Sequence, residues 1–368
     1  MDFYIATRGA ESMSQGLHIH RQRGVALITA LLVVALTTVM AVSLMSQQYM
    51  DIRRTGNIML SDQAYLYDLA LESFAGQLLK TYRSNQKYDD LQQIQQAMML
   101  FQSIPVEGGS VSATVEFSEA KFNVNSLIND KGKPDPWAKN YYSRLVGEVL
   151  QNLGADASLR DDLVNALLDW LDPDGDTRLG GAEDSAYESR DIPYKAANQM
   201  MSSISELRLV QGYSREILDG IPADPQTQTE AVPGLLAYLT ALPNRNCMLN
   251  VNLIQDPVMF MAMVDNMNKD MVDELIKSQP FEKTGDFMGN QVFNDLKKTQ
   301  PGNANDKNNI NAQLQSLSNH ITVQSSYFLL RGMATVGESK LTLNSLLYAN
   351  NAGTAVSTVY RAIGTSGI

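Results

Sequence analysis

The chain has 368 residues, enough for two domains or for one domain with a large insertion. Its net charge is −11 and it has no basic tract, which argues against nucleic acid as a partner. Its single cysteine, Cys247, excludes an intrachain disulfide. Of its 3 histidines, His18 and His20 lie in a segment interpreted below as a removed leader, so a histidine-based zinc site is hard to build.

A long uncharged segment lies near the amino terminus. No charged residue occurs from Gly24 to Met50, and residues 25–46 are mostly Val, Ala, Leu, Ile and Met. At about 1.5 Å per residue this stretch is roughly 33 Å long, enough to cross the hydrocarbon core of a bilayer. A buried core helix would need protein on all its faces, so the pattern favours a transmembrane helix.

The residues before this segment resemble the leader of type IV prepilins. In RQRGVALIT (21–29) a glycine directly precedes the apolar run, whereas a secretory signal peptide has its small residues after a shorter one. The resemblance implies that a prepilin peptidase removes residues 1–24, cutting between Gly24 and Val25, and methylates the new amine. Translation from Met13 would give a shorter leader.

Position five of the mature chain is then Thr29. Most pilins and pseudopilins carry a glutamate there, which pairs with the terminal amine of a neighbouring subunit, and a threonine cannot form that ion pair. Absence of the glutamate is typical of the minor pseudopilin K family of type II secretion systems, whose members are thought to sit at the tip of the filament.

Periodicity in the rest of the chain predicts the fold class. Apolar residues at steps of three and four extend the first helix to about residue 80. Alternation predicts strands at 111–117, 320–330 and 340–348, the last two joined by a turn at Gly337, with helical patterns between the first and second. The economical architecture is α+β: a long amino-terminal helix packed on an antiparallel sheet, with a large helical domain inserted into the sheet.

The predicted boundaries follow from the same patterns. Residues 81–127 and 318–350 would form the pilin-like α/β domain, and residues 128–317 the inserted helical domain. The segment 283–313 is rich in Asn, Lys, Asp and Gln and is predicted to be a mobile loop, while the residues after about 350 have no clear pattern.

The most chemically specific run is DWLDPDGDTRLGGAEDSAY (169–187). Asp172, Asp174 and Asp176 alternate along a turn, and Glu183 follows at the distance of position 12 in a calcium loop. Position 6 is Thr177 rather than glycine, so the match to an EF-hand is incomplete. The alternative is a solvated acidic loop, but three carboxylates within five residues repel one another unless a cation neutralises them.

The family resemblance is densest in this region. DWLDPDGD, GGAEDSAY, PYKAANQ, ELRLVQG and LNVNLIQDP all look like blocks of the minor pseudopilin K family. The resemblance implies one or two Ca²⁺ ions in the helical domain. The matching positions are Asp172, Asp174, Asp176, Glu183 and Asp184, with Asp169 and Thr177 as further candidates.

The resemblance also implies a function and partners. It implies a non-enzymatic pseudopilin that caps the periplasmic pseudopilus with minor pseudopilins I and J, helps to initiate its assembly for protein export, and is anchored in the inner membrane with its carboxyl-terminal domain in the periplasm. A minor pilin of a type IV pilus is the alternative. A membrane-anchored calcium-dependent enzyme is the third class, but His320 and Cys247 lie in no recognisable catalytic motif.

Overall fold

A single helix occupies the first part of the chain. The computed structural model describes residues 23–224, 226, 230–299, 304–350 and 352–364, so almost all of the predicted leader lies outside the described residues. Helix α1 spans Arg23–Asn85, which is 63 residues and a little longer than predicted. By contacts the chain divides into two compact units between Met59 and Leu60.

The amino-terminal part of α1 has the properties of a membrane span. Its most apolar window has a mean hydropathy of 2.7, and none of that window is buried in protein. The hydroxyl groups of Thr29, Thr37 and Thr38 donate to backbone carbonyls of the same helix at 2.7–3.0 Å. These three hydroxyl groups are therefore satisfied within the helix, without water.

The strands form one main sheet and three short pairs. In chain order they are β1 Ile104–Val106, β2 Gly109–Phe117, β3 Phe122–Asn123, β4 Gly220–Ile221, β5 Val232–Pro233, β6 Leu239–Thr240, β7 Leu249–Asn250, β8 Ile321–Thr322, β9 Tyr327–Val336, β10 Ser339–Ala349 and β11 Val356–Ile363. The main sheet has the order β1-β2-β9-β10-β11 and is antiparallel throughout. All residues between β2 and β9 are inserted between two adjacent strands, which confirms the predicted fold class.

The hairpin of β9 and β10 was predictable from its turn. Gly337 has φ +56, a left-handed conformation that glycine adopts without strain. Its neighbours Val336 and Ser339 pair across the turn. The strand predicted at 320–330 is divided, because only Ile321–Thr322 and the residues from Tyr327 onward are strand.

The segment after residue 350 is more ordered than its sequence suggests. Strand β11 pairs with β10 at the edge of the sheet, with one register shift between Leu346 and Leu347. Its residues alternate between half-buried and exposed, a weak period-two pattern that Ser, Thr and Arg side chains obscure. The tail, whose sequence has no clear pattern, therefore contains a strand at Val356–Ile363.

The insertion consists mainly of helices. After α2 at Leu91–Met98, these are α3 Pro136–Leu153, α4 Leu159–Leu171, α5 Asp184–Glu188, α6 Arg215–Asp219, α7 Pro257–Met261, α8 Lys269–Lys277, α9 Thr284–Met288, α10 Gln291–Thr299 and α11 Ala304–Leu317. Helices α3 and α4 coincide with the two strongest helical patterns of the sequence. Both carry a continuous buried face, from Tyr141 to Leu150 in α3 and from Leu163 to Leu171 in α4.

The prediction of a mobile loop at 283–313 is wrong. Helices α9, α10 and α11 occupy most of that segment, and Phe287, Phe293 and Leu296 are fully buried. The few apolar residues of this segment are spaced so that they lie on one side of short helices. They therefore contribute to the core although the segment as a whole is polar.

Two large cores hold these elements. One is formed by α1 and the main sheet and includes Ala64, Leu71, Ala75, Phe328 and Leu347. The other fills the insertion, with aromatic side chains of α3 and α4 at its centre. The division at residues 127/128 and 317/318 stays a prediction, because the contacts separate the chain only at Met59.

Candidate metal centre

The acidic run lies between two helices of the insertion. Helix α4 ends at Leu171, and Asp172 follows it directly; α5 begins at Asp184, directly after Glu183. The loop between the helices returns so that Asp172, Asp174 and Glu183 each place a carboxylate oxygen within 4.8 Å of the others. The structure therefore brings together three of the seven residues that the sequence nominated.

Two of the three carboxylates are deeply buried. Asp172 is 0% and Glu183 4% exposed, and neither oxygen of Glu183 accepts a hydrogen bond from any residue that the structure describes. Burial raises the pKa of Glu183 to about 7, and the neighbouring charges of Asp169, Asp172, Asp184 and Asp174 add to this effect. Buried carboxylate oxygens without donors are the donor set that a hard cation such as Ca²⁺ would satisfy.

Arg178 brings a positive charge into the cluster. Its Nη1 lies 2.5 Å from Asp169 Oδ1 and its Nη2 lies 2.6 Å from Asp172 Oδ2. Its backbone N–H also donates to Asp169 Oδ2 at 3.1 Å. Asp169 is thus committed to Arg178, whereas Asp172 Oδ1 has no hydrogen-bonding partner in the described part of the chain. Burial raises the pKa of Asp172 although Arg178 opposes that shift.

The other nominated residues do not join the cluster. Asp184 accepts hydrogen bonds from Lys195 Nζ at 3.1 Å and from the Ala196 amide at 3.0 Å. Asp176 and Thr177 are exposed, and the Asp176 amide donates to Asp174 Oδ1 at 3.2 Å. Sequence spacing could not distinguish these carboxylates from the three that converge.

Two glycines allow the loop to pack against α4. A Cβ atom at Gly181 would lie 2.0 Å from Asp169 Oδ2, and one at Gly180 would lie 1.8 Å from Asp162 Oδ1. Gly180 also has φ +72, which favours glycine. The pair of glycines is therefore needed for the close approach that brings Glu183 back to Asp172.

The structure also places the two residues considered for catalysis. The His320 ring stacks on Trp137 with centroids 4.1 Å apart, and its Nδ1 lies 2.8 Å from the Ser316 carbonyl oxygen. Cys247 is buried, and burial raises the pKa of its thiol to about 12. These contacts are those of packing residues, and a thiol with so high a pKa is a poor nucleophile.

A membrane-span-like helix, followed along the chain by an antiparallel sheet, is the architecture of type IV pilin-like proteins. The profile of the family "Type II secretion system (T2SS), protein K" matches residues 120–222. Type II secretion system protein K of Klebsiella pneumoniae is 31% identical over 64% of this chain and 68% of its own length. The protein of that name from Pectobacterium carotovorum is 28% identical over 94% of this chain and 97% of its own length.

A solved structure has the same fold. A chain in the crystal structure of the GspK-GspI-GspJ complex of the enterotoxigenic Escherichia coli type 2 secretion system matches with a TM-score of 0.68 and 24% identity, over 85% of this chain and 100% of that one. Together with the relatives, this shows that the chain belongs to the type II secretion system protein K family and is a minor pseudopilin. The relatives are named as secretion-system proteins and not as enzymes.

Proposed function

We propose that this minor pseudopilin forms the tip of the periplasmic pseudopilus and helps to initiate its assembly for protein export. The observation that carries the proposal is the insertion of residues 118–326 between the adjacent strands β2 and β9. An insertion of this size makes the subunit much larger than its sheet and helix alone, which leaves little room for another subunit stacked on it.

Minor pseudopilins I and J are the proposed partners. The solved structure with the same fold is of a complex whose name includes GspI and GspJ, which supports equivalent partners for this chain. Helix α1 offers a surface for such contacts, because Leu66 and Phe74 are exposed apolar residues in its carboxyl-terminal part.

The proposed membrane topology rests on the amino-terminal part of α1. Gly24 and Val25 stand at the start of the helix, where the prepilin peptidase would cut. The apolar segment would then anchor the mature protein in the inner membrane, with the sheet and the insertion in the periplasm. Thr29 donates its hydroxyl to the Ala26 carbonyl at 3.0 Å, so it brings no charge with which to hold the amine of another subunit.

A direct measurement tests the tip position. The full chain would carry a small epitope tag, and its copy number and position would be determined in sheared pseudopili. We expect about one copy, at one end, and co-purification with pseudopilins I and J. Thr29→Glu should leave this pattern unchanged, because the insertion would still prevent stacking. Repeated label along the shaft would contradict the tip assignment.

We further propose that the acidic cluster binds Ca²⁺. Asp172, Asp174 and Glu183 would hold the ion, and Asp176, Asp184, Asp169 and Thr177 are further candidates from the sequence. The ion would supply the positive charge that Arg178 gives only to one side of the cluster, and it would tie the end of α4 to the start of α5.

Calcium titration of the full chain in detergent tests this second proposal. We expect calcium to raise the melting temperature of the wild-type protein, and Asp174→Asn to remove most of that rise. Asp191→Asn is the matched control, because Asp191 is exposed and lies outside the cluster. Equal melting temperatures of the wild-type protein in calcium and in chelator would count against the site.

A further inference from the structure

A polar cavity lies at the carboxyl-terminal end of α1, beside the main sheet. Its volume is about 430 Å³, within the range of ligand-binding cavities. The side chains that line it include amides, hydroxyls and one guanidinium: Arg83, Asn244, Asn246, Gln324, Tyr327 and Tyr348. It is separate from the acidic cluster, because none of the cluster's carboxylates lines it.

Arg83 is the unusual member of this lining. Its side chain is 6% exposed, and its Nε and Nη1 atoms are buried without a hydrogen-bonding partner among the described residues. No carboxylate in that part of the chain forms an ion pair with it. A buried guanidinium with unused donors is costly, so an acceptor for it is expected.

The two nearest carboxylates already have other partners. Glu119 accepts the backbone amides of Ser326 at 2.9 Å and Tyr327 at 3.0 Å. Asp89 Oδ2 accepts Asn250 Nδ2 and the Ser325 amide, both at 2.7 Å. Asp89 Oδ1 has no hydrogen-bonding partner in the described residues, and the charges of both carboxylates act on Arg83. Neither carboxylate forms a hydrogen bond with Nε or Nη1 of Arg83 in that part of the chain, so these donors remain for a group that enters the cavity.

We propose that this cavity binds a carboxylate, which Arg83 recognises. A guanidinium donates two parallel hydrogen bonds to a planar carboxylate, and the amides of Asn244 and Asn246 provide further donors at the same surface. Glu119 also lines the cavity, and its negative charge opposes a doubly charged phosphate more than a singly charged carboxylate. Burial raises the pKa of Glu119 to about 7, so its negative charge is incomplete near neutral pH and a single negative charge is tolerated.

The carboxylate has two sources, a free small molecule or the acidic group of a polypeptide. Calorimetric titration of the full chain in detergent distinguishes them with four probes: propionate, a short neutral peptide with a free carboxyl terminus, the same peptide amidated, and inorganic phosphate. Binding of propionate alone assigns a small molecule, and tighter binding of the free-acid peptide assigns a polypeptide. Either result supports the proposal if the amidated peptide and phosphate bind at least tenfold more weakly.

Variants distinguish recognition by Arg83 from nonspecific binding. Arg83→Met and Arg83→Lys should each weaken carboxylate binding at least tenfold. Methionine removes the positive charge, and lysine keeps the charge but lacks the two parallel donors of the guanidinium. Arg215→Met should bind as the wild type does, since Arg215 is exposed and outside the cavity. Because the charges of Asp89 and Glu119 favour the charged form of Arg83, Arg83→Lys, which keeps a positive charge, is the variant that isolates the loss of the guanidinium.

A second route tests the cavity if Arg83→Met fails to fold. Met248 lines the cavity and is 41% exposed, so Met248→Trp should narrow the entrance and abolish binding without touching the guanidinium. The proposal is overturned if neither propionate nor the free-acid peptide binds the wild-type protein. It is equally overturned if the Arg83 variants bind as well as the wild type, or if phosphate binds more tightly than both carboxylates.

Discussion

Two buried glutamates in this molecule have opposite electrostatic environments. Glu72, on α1, accepts four hydrogen bonds: from Ser345 at 2.6 Å, Thr358 at 2.7 Å and twice from Arg361 at 2.8 Å. Glu183, in the acidic cluster, accepts none from the described residues. Both side chains are almost inaccessible to solvent, at 5% and 4% exposure. Burial alone therefore does not determine how each carboxylate behaves.

The difference appears in the direction of the two pKa shifts. Burial acts to raise the pKa of Glu72, but the hydrogen bonds from Arg361, Ser345 and Thr358 outweigh it, so its pKa lies below the usual value. Burial and like charges raise the pKa of Glu183 to about 7. Glu72 is a completed contact between α1 and the edge of the sheet, whereas Glu183 has open coordination that a cation would fill.

Removing Arg361 should give the largest effect. Arg361→Met takes away two of the four donors to Glu72, and we expect the free energy of unfolding to fall by about 2 kcal/mol at neutral pH. Because the folded-state pKa of Glu72 is depressed, its contribution is present above its unfolded pKa and is lost as pH falls through its folded pKa. The difference between variant and wild type should therefore shrink in acid.

Chemical denaturation of both proteins at neutral and acidic pH measures this difference. Arg215→Met is the matched control, because the Arg215 side chain is 90% exposed and forms a surface ion pair with Asp219 at 3.4 Å. A loss for Arg215→Met as large as that for Arg361→Met would show that the Glu72 contact has no special weight.

The effect of Glu183→Gln on stability should change sign when calcium is present. The folded-state pKa of about 7 lies above the ordinary glutamate pKa of 4.5, so the stability linked to Glu183 is present below about pH 4.5 and is lost as pH rises through 7. In chelator at about pH 8, Glu183→Gln should therefore raise the free energy of unfolding by about 1 kcal/mol. With calcium present it should lower the melting temperature, because a ligand is lost.

Melting curves at two pH values, with calcium or chelator, test this change of sign. Glu188→Gln is the control: Glu188 belongs to α5 but is half exposed and pairs with Lys195 at 3.5 Å. If Glu183→Gln destabilised the protein equally under all four conditions, Glu183 would be an ordinary structural residue.

Asp68 extends the comparison to a carboxylate on the same helix as Glu72. A Cβ atom at Gly332 would lie 2.9 Å from Asp68 Oδ1, so the side chain packs directly on β9. Burial raises its pKa to about 7, more than the Ala334 amide lowers it. Its contribution is thus present below the unfolded pKa and is lost as pH rises through 7.

Asp68→Asn should remove this pH dependence. We expect a gain of about 1 kcal/mol in unfolding free energy at about pH 8, and no change at about pH 3, below the unfolded pKa. Asp62→Asn is the control on the same helix, because Asp62 is exposed. Identical pH profiles for the wild type and Asp68→Asn would contradict the raised pKa.

The two sites also show which features a sequence can reveal. The helix α1, the turn at Gly337 and the converging carboxylates Asp172, Asp174 and Glu183 have local signals: periodicity, a glycine, and regular spacing. The Glu72 contact has none, because Arg361 is far along the chain in a strand that itself escaped prediction. Asp184 pairs with Lys195 and lies outside the cluster, whereas Asp174 belongs to it. Sequence spacing does not report such a contact.

The smallest expected effect concerns Lys133, at the rim of the acidic cluster. Its Nζ lies 3.8 Å from Asp174 Oδ2, and its side chain is 72% exposed. An exposed pair at this distance contributes little to stability, but the positive charge competes with a cation for Asp174. We expect Lys133→Gln to tighten calcium binding about twofold at low salt, and the gain to disappear at high salt because mobile ions screen exposed charges.

Lys131→Gln provides a close control for that measurement. Lys131 lies two positions away on the same exposed turn and makes the same change in net charge, but no ion pair joins it to the cluster in the described residues. Calorimetric titration of both variants at two salt concentrations separates a local effect from a general one. If Lys131→Gln tightened binding as much as Lys133→Gln, the effect would come from net charge alone. If only Lys133→Gln did so, Asp174 would be identified as a calcium ligand, since the lysine acts through that carboxylate.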